Sequence, residues 1–202
     1  MKQNRNNFFL TIEKSLKNAR ELFIDAQILK ENKRFERAYT CFQFCIEEIG
    51  KASLTFQYLI NDDHSKYAKY LKDFRDHKTK TKTAIRIDLI MFKLTDKPEL
   101  KRKILLNSEI QGEKIDYFNE MKNYSLYTSL IDGKANLPSE IITSDDLEEI
   151  EFYANTRLVI STKFFKSGIE EFDEILKATK ELDTQKLNEQ IENECRELLS
   201  TK

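Results

Sequence analysis

The chain is poor in the residues that bend a backbone: it has four glycines and two prolines in 202 residues. That scarcity excludes a turn-rich all-β architecture, because hairpins and tight loops need residues that tolerate positive φ or pre-set a bend. Tryptophan is absent and there are two histidines, His64 and His77. A carboxylate diiron bundle needs Glu-x-x-His pairs on two helices, and the chain has none. The three cysteines, Cys41, Cys45 and Cys195, form no Cys-x-x-Cys pair, so neither a disulfide framework nor a zinc site is expected. Cys41 and Cys45 lie one helical turn apart among Phe42, Phe44 and Ile46, where cysteine behaves as a small hydrophobe. No metal or other cofactor is expected.

Long apolar runs are missing too, since charges interrupt every such stretch within a few residues, and the opening Met1, Lys2, Gln3, Asn4, Arg5 is not a signal peptide. A cytoplasmic protein without a membrane partner is the expectation. Neither sign of charge prevails: 34 Lys and Arg face 35 Asp and Glu, which excludes a globally basic nucleic-acid binder. The distribution is uneven, however. Eight Lys or Arg residues lie between Lys66 and Arg86 against Asp73 and Asp76, whereas Asp145 to Glu151 holds five acids and no base.

What is present in quantity is helix-compatible material, 40% hydrophobic and 34% charged. The expected class is all-α, as one domain over residues 1–182 with a tail helix over 183–202. Phe9, Ile12, Leu16, Ala19, Phe23 and Ala26 keep the three-four spacing of an amphipathic helix over residues 8–31. Asn32 and Lys33 leave room only for a tight turn before a second helix over Phe35 to Ile60, so a long antiparallel hairpin follows. A third helix is expected from Ser65 to Phe92. A fourth should run from near Pro98 to Tyr124, with Gly112 as a kink or division. Residues 125–143, with Gly133 and Pro138, read as a short extended excursion. Asp145 with Glu148 reads as a capping box opening a fifth long helix.

The second helix carries the least ordinary pattern. From Ala38 to Ile60 it is apolar nearly all round, and Glu47, Glu48 and Lys51 are its only charges. Charges so placed need partners, because unpaired ones are costly away from water. Glu47 and Lys51 are expected in a partly desolvated seam, and Gly50 lets another backbone approach there. Phe44, Leu54 and Tyr58 extend the apolar surface, which predicts a homodimer seam on this helix.

Residues Ala19 to Ser53 resemble the HEPN superfamily, whose second helix carries small and apolar residues around an acid and a lysine; Glu48, Lys51 and Ala52 fit that pattern. More narrowly, Glu47 to Ala52, then Phe74, His77, Lys78 and Lys80, then Lys122, Asn123, Leu126 and Tyr127 resemble the AbiV-type abortive infection proteins of bacteria. The resemblance implies a HEPN-like bundle and antiphage defence, with RNA or the ribosome as target, inhibition of translation, and a phage-encoded protein as activator. It also implies a homodimeric, metal-independent endoribonuclease. The Arg-x4-6-His motif of such enzymes is missing here, and Lys72 stands where its arginine would precede His77. Lysine lacks the guanidinium fork.

The catalytic candidates are therefore His77, Lys80, Lys72, Glu48 and Lys51. An imidazole can take the proton of a ribose 2′-hydroxyl while cations stabilise charge on phosphate. On one continuous helix Asp73, His77 and Lys80 share a side, so Asp73 could orient the ring. Arg75, Lys78, Lys82, Lys122, Asn123 and Tyr127 are the RNA-binding candidates, with Arg75 and Lys78 also able to pair with Glu47 or Glu48. Glu47 and Asp73 are candidates for a structural network. The alternative function is a non-catalytic helical module that captures a phage or host protein, its charged seam holding register.

Overall fold

The computed structural model describes residues 5–181 and, beyond them, Asn193 and Arg196. The expected tail helix and Cys195 lie outside the described residues. Two long helices, α1 (Arg5–Glu31) and α2 (Phe35–Asn61), form the antiparallel hairpin. Ile12, Ala19 and Ala26 are fully buried on α1, with Phe9, Leu16 and Phe23 half-buried at the edges of the stripe. The turn between them is a Schellman closure: the Arg34 N–H donates to the Leu29 carbonyl and Lys33 N–H to that of Lys30, both at 2.9 Å. Lys33 takes the left-handed conformation, φ 57°, that glycine usually supplies.

α2 is the axis of the molecule. After a 3₁₀ turn (His64–Lys66) come α3 (Tyr67–Arg75) and α4 (His77–Leu94), then α5 (Pro98–Glu113) and α6 (Ile115–Leu126). A two-stranded hairpin, β1 (Ser129–Ile131) with β2 (Lys134–Asn136), leads to α7 (Pro138–Ile141), α8 (Ser144–Glu170) and α9 (Phe172–Glu181). All of these helices except α5 pack against α2. The all-α class and the extended excursion thus stand as expected. The excursion closes on Asp132 (φ 50°) and Gly133 (φ 77°), a pair that matches the right-handed strand twist.

Three boundaries differ from expectation. The third helix is broken at Asp76, whose ψ of 120° ends α3 and whose Oδ1 accepts the Thr79 N–H at 2.7 Å to cap α4. The fourth divides at Lys114, two residues beyond Gly112. The cap of α8 is Thr143 with Asp146, each side chain accepting the other's backbone N–H, so the box lies two residues before the expected one. From there Leu147, Ile150, Ala154, Arg157, Ser161, Phe165 and Gly168 form one buried stripe. Gly168 admits the Phe56 ring, which a Cβ would meet at 3.0 Å. Phe56 also packs on the rings of Phe164, Phe165 and Phe172. No helix among the described residues is long and apolar enough to cross a membrane.

Candidate functional site

The site begins with a close crossing. A Cβ on Gly50 would stand 2.1 Å from the Lys80 carbonyl oxygen, so only glycine lets the α4 backbone lie directly on α2. Along the flank of α2 beside that crossing runs a buried polar ladder at helical spacing: Thr40, Gln43 and Glu47. The Thr40 and Ser125 hydroxyls bond at 2.6 Å, and the Gln43 amide nitrogen donates to Thr81 at 3.0 Å. α6 and α4 are thereby held to successive turns of α2.

Glu47 is where the two converge. Lys122 of α6 donates to its Oε1 at 2.9 Å, and Lys80 of α4 to its Oε2 at 2.9 Å. His77 Nδ1 meets Oε2 at 2.5 Å. A carboxylate only accepts, so the proton lies on Nδ1, an assignment made from the partner. Burial pulls the Glu47 carboxyl up, but Lys122 and Lys80 outweigh it and hold the group below its ordinary value. The Glu47, Lys80 and Lys122 side chains are 4%, 6% and 5% exposed, whereas that of His77 is 54% exposed. The imidazole therefore has one nitrogen fixed against a buried anion while about half of the side chain is open to solvent. Lys122 also donates to Asn119 Oδ1 at 3.1 Å and lies over the Phe44 ring.

Such an arrangement suits proton transfer. An ionised acid that accepts from Nδ1–H fixes the tautomer and the orientation of an imidazole. Two ammonium groups within bonding distance share the single Glu47 carboxylate, so the buried cluster has a surplus of cation next to the ring. Lys80, expected to face phosphate, is instead committed to Glu47, because an unpaired ammonium would not be stable at that depth.

The expected residues do not all come together. His77, Lys80 and Lys122 come together around Glu47, which the sequence suggested only as part of a structural network. Glu48 and Lys51 form a separate pair, 2.5 Å apart, with Lys51 over the Phe74 ring on the α1–α3 side; they do not join His77. Asp73 pairs with Lys69, one turn back on α3, and the break at Asp76 removes it from His77. Lys72, Arg75, Lys78, Asn123 and Tyr127 are exposed, with Lys78 paired to Asp116 at 2.7 Å, and Lys82 faces a different groove. Asn119 was missed; its spacing of three residues from Lys122 is the only signal that could have suggested it. Tyr58, expected at a dimer seam, is buried within the chain against Phe8, Tyr67 and Tyr70.

Cys41 and Cys45 are free thiols. Burial, with Glu48 nearby, pushes the Cys45 thiol up to about 12, so it stays protonated and unreactive.

The AbiV model of the HEPN families matches residues 10–158. The chain therefore belongs to the AbiV family and is an abortive-infection HEPN protein. No curated protein and no solved structure matches it significantly.

Proposed function

We propose that this AbiV-family protein is a metal-independent endoribonuclease whose general base is His77. The observation that carries the reading is the exposed imidazole held through Nδ1–H by buried Glu47, while Lys80 and Lys122 keep that carboxylate ionised. Nε2 then offers its lone pair outward. In the reaction it accepts the proton of a ribose 2′-hydroxyl, the oxygen attacks the adjacent phosphorus, and the P–O5′ bond breaks as the 5′-oxygen takes a proton from solvent, to which the imidazolium later returns its own. The products are a 2′,3′-cyclic phosphate and a 5′-hydroxyl end. General base catalysis of this kind contributes about 10²–10⁴-fold. Arg75 and Lys78 flank His77 in sequence and are exposed, which suits them to hold the substrate phosphates; the Lys78–Asp116 pair is exposed and exchanges readily. The reading includes a homodimer, RNA of the translation machinery as target and a phage-encoded activator.

The test compares total RNA and translation in infected and uninfected cells carrying wild type or His77→Ala. Fragmentation of RNA in infected wild-type cells only, with cyclic phosphate ends and persisting in EDTA extracts, is the expected result. A folded His77→Ala protein that still protects fully would end the ribonuclease reading. The near-complete burial of Lys80 and Lys122 favours one other function, a binding module whose polar seam only sets helix register. In that case protection survives His77→Ala and fails with variants of exposed surface residues.

A further inference from the structure

On the other flank of α4 lies a concavity that the His77 cluster does not use. Three elements each give it one stripe at helical spacing. From α2 come Leu54, Gln57, Tyr58 and Asn61; from α4, Thr79, Lys82, Thr83 and Arg86; from the 3₁₀ turn and α3, Lys66, Lys69, Tyr70 and Asp73. At 100° per residue the α4 stripe is centred opposite His77. The two sites thus lie on either side of the Gly50 crossing. The volume is about 370 Å³, within the ~300–1,000 Å³ that holds small ligands.

Its chemistry is graded across the groove. The α3 wall is already neutralised, Lys66 by Asp63 at 3.1 Å and Lys69 by Asp73. On the α4 wall, Arg86 meets the neutral Gln57 oxygen at 3.3 Å, and among the described residues no acid pairs with Arg86 or Lys82. Thr79 and Thr83 hydroxyls line the same wall. The floor is apolar: the Tyr58 and Tyr70 rings stack at 4.8 Å and are nearly buried, beside Leu54. Gln57 and Asn61 place two amides, each both donor and acceptor, at the edge of that floor.

We infer that this groove binds a nucleoside phosphate, either free or as one residue of an RNA strand, with phosphate on Lys82 and Arg86 and the base over the tyrosine floor within reach of the Gln57 and Asn61 amides. An anion alone would use the α4 wall and leave the floor empty. The site stands independently of the chemistry at His77.

Calorimetric titration of the full chain tests it, using each of the four ribonucleoside monophosphates, adenosine, inorganic phosphate and a five-residue oligoribonucleotide. Lys82→Ala/Arg86→Ala is the informative variant because both side chains are exposed. Lys163→Ala/Lys166→Ala on α8, also exposed, removes equal charge elsewhere. The expected result is saturable binding of a monophosphate or of the oligonucleotide, weakened about tenfold or more by the groove variant and unchanged in the α8 variant. Binding of a monophosphate identifies a free nucleotide as the ligand, and binding of the oligonucleotide alone identifies RNA. The inference is overturned if nothing saturates, if adenosine or inorganic phosphate binds as tightly as the nucleotide, if the α8 variant weakens binding equally, or if the groove variant binds as tightly as wild type.

Discussion

At the N-terminal end of α4, Glu47 receives two lysines and a histidine; about three turns further along the same helix, Asp88 receives the fork of Arg157 from α8, at 3.3 and 3.1 Å. Both sites tie α4 to the core through charge that is nearly out of water. They differ in stoichiometry and access. The guanidinium engages both Asp88 oxygens and is itself 3% exposed, the planar geometry that makes arginine suited to a closed structural pair. Around Glu47 two point-charge ammonium groups share one carboxylate, and a third partner, His77, reaches solvent. A buried charge used only for cohesion needs no such opening. The contrast teaches that burial of charge does not by itself distinguish the two sites; what separates them is that His77 extends the Glu47 network to the surface.

The largest expected effect breaks the Glu47 side of this contrast. Glu47→Gln keeps the volume and leaves Lys80 and Lys122 without their anion, so unfolding free energy in urea should fall by about 3–5 kcal/mol. A loss near zero would mean that water already solvates the lysines. The same pair of proteins gives a pH test. The folded-state value for Glu47 is lowered from 4.5, so its stabilisation is present above that pH and is lost as pH falls through the lower folded value. Wild type and Glu47→Gln should therefore differ at neutral pH and converge on acidification below pH 4.5; a gap that widens there would reverse the sign.

Gly50→Ala comes next. Its Cβ would meet backbone rather than a movable side chain, so α4 must shift, at about 1–3 kcal/mol, and RNA cleavage should fall with the displacement of His77 from Glu47. Thermal denaturation alongside cleavage rates would separate the two effects. The Asp88 site is expected to be replaceable: Asp88→Leu with Arg157→Met should stay within about 1–2 kcal/mol of wild type and keep phage protection, because an apolar pair avoids desolvating two ions. Loss of protection in that folded variant would give the Arg157 pair a role beyond cohesion. The smallest effect is Lys51→Ala, about 1 kcal/mol or less, since the Lys51–Glu48 pair is partly exposed and local to one helix turn. A drop several-fold larger in Tm or in dimer fraction would restore the dimer-seam role suggested by its setting.

The helices were legible because periodicity is local. Ile12, Ala19 and Ala26 could not lie elsewhere than on one stripe, and the apolar circumference of α2 required a central position. Breaks were harder to read. Asp76 with Thr79 is an ordinary cap signal, but it lies inside a run of charged residues that is compatible with continuous helix, and the pattern of Asp73, His77 and Lys80 was built on that continuity. Thr40, Gln43, Glu47 and Gly50 do follow a three-four-three spacing in the sequence. Their meaning as one ladder was obscured because Thr40 and Gln43 are unremarkable, and the acceptor role of Glu47 is undefined, until partners 30 to 85 residues away are in place.

Composition and spacing alone determined the class, the α1–α2 hairpin and the need for partners around Glu47, since each follows from burying apolar stripes and not leaving charge unpaired. Which cation takes which acid was decided only by tertiary structure. Lys51, Lys72, Lys80 and Lys122 are chemically alike in sequence, and a Coulomb interaction depends on distance and depth that the crossing of α4 and α6 over α2 sets. That crossing placed two lysines inside, left two near the surface, and turned Glu47 from a seam residue into the group that holds the imidazole.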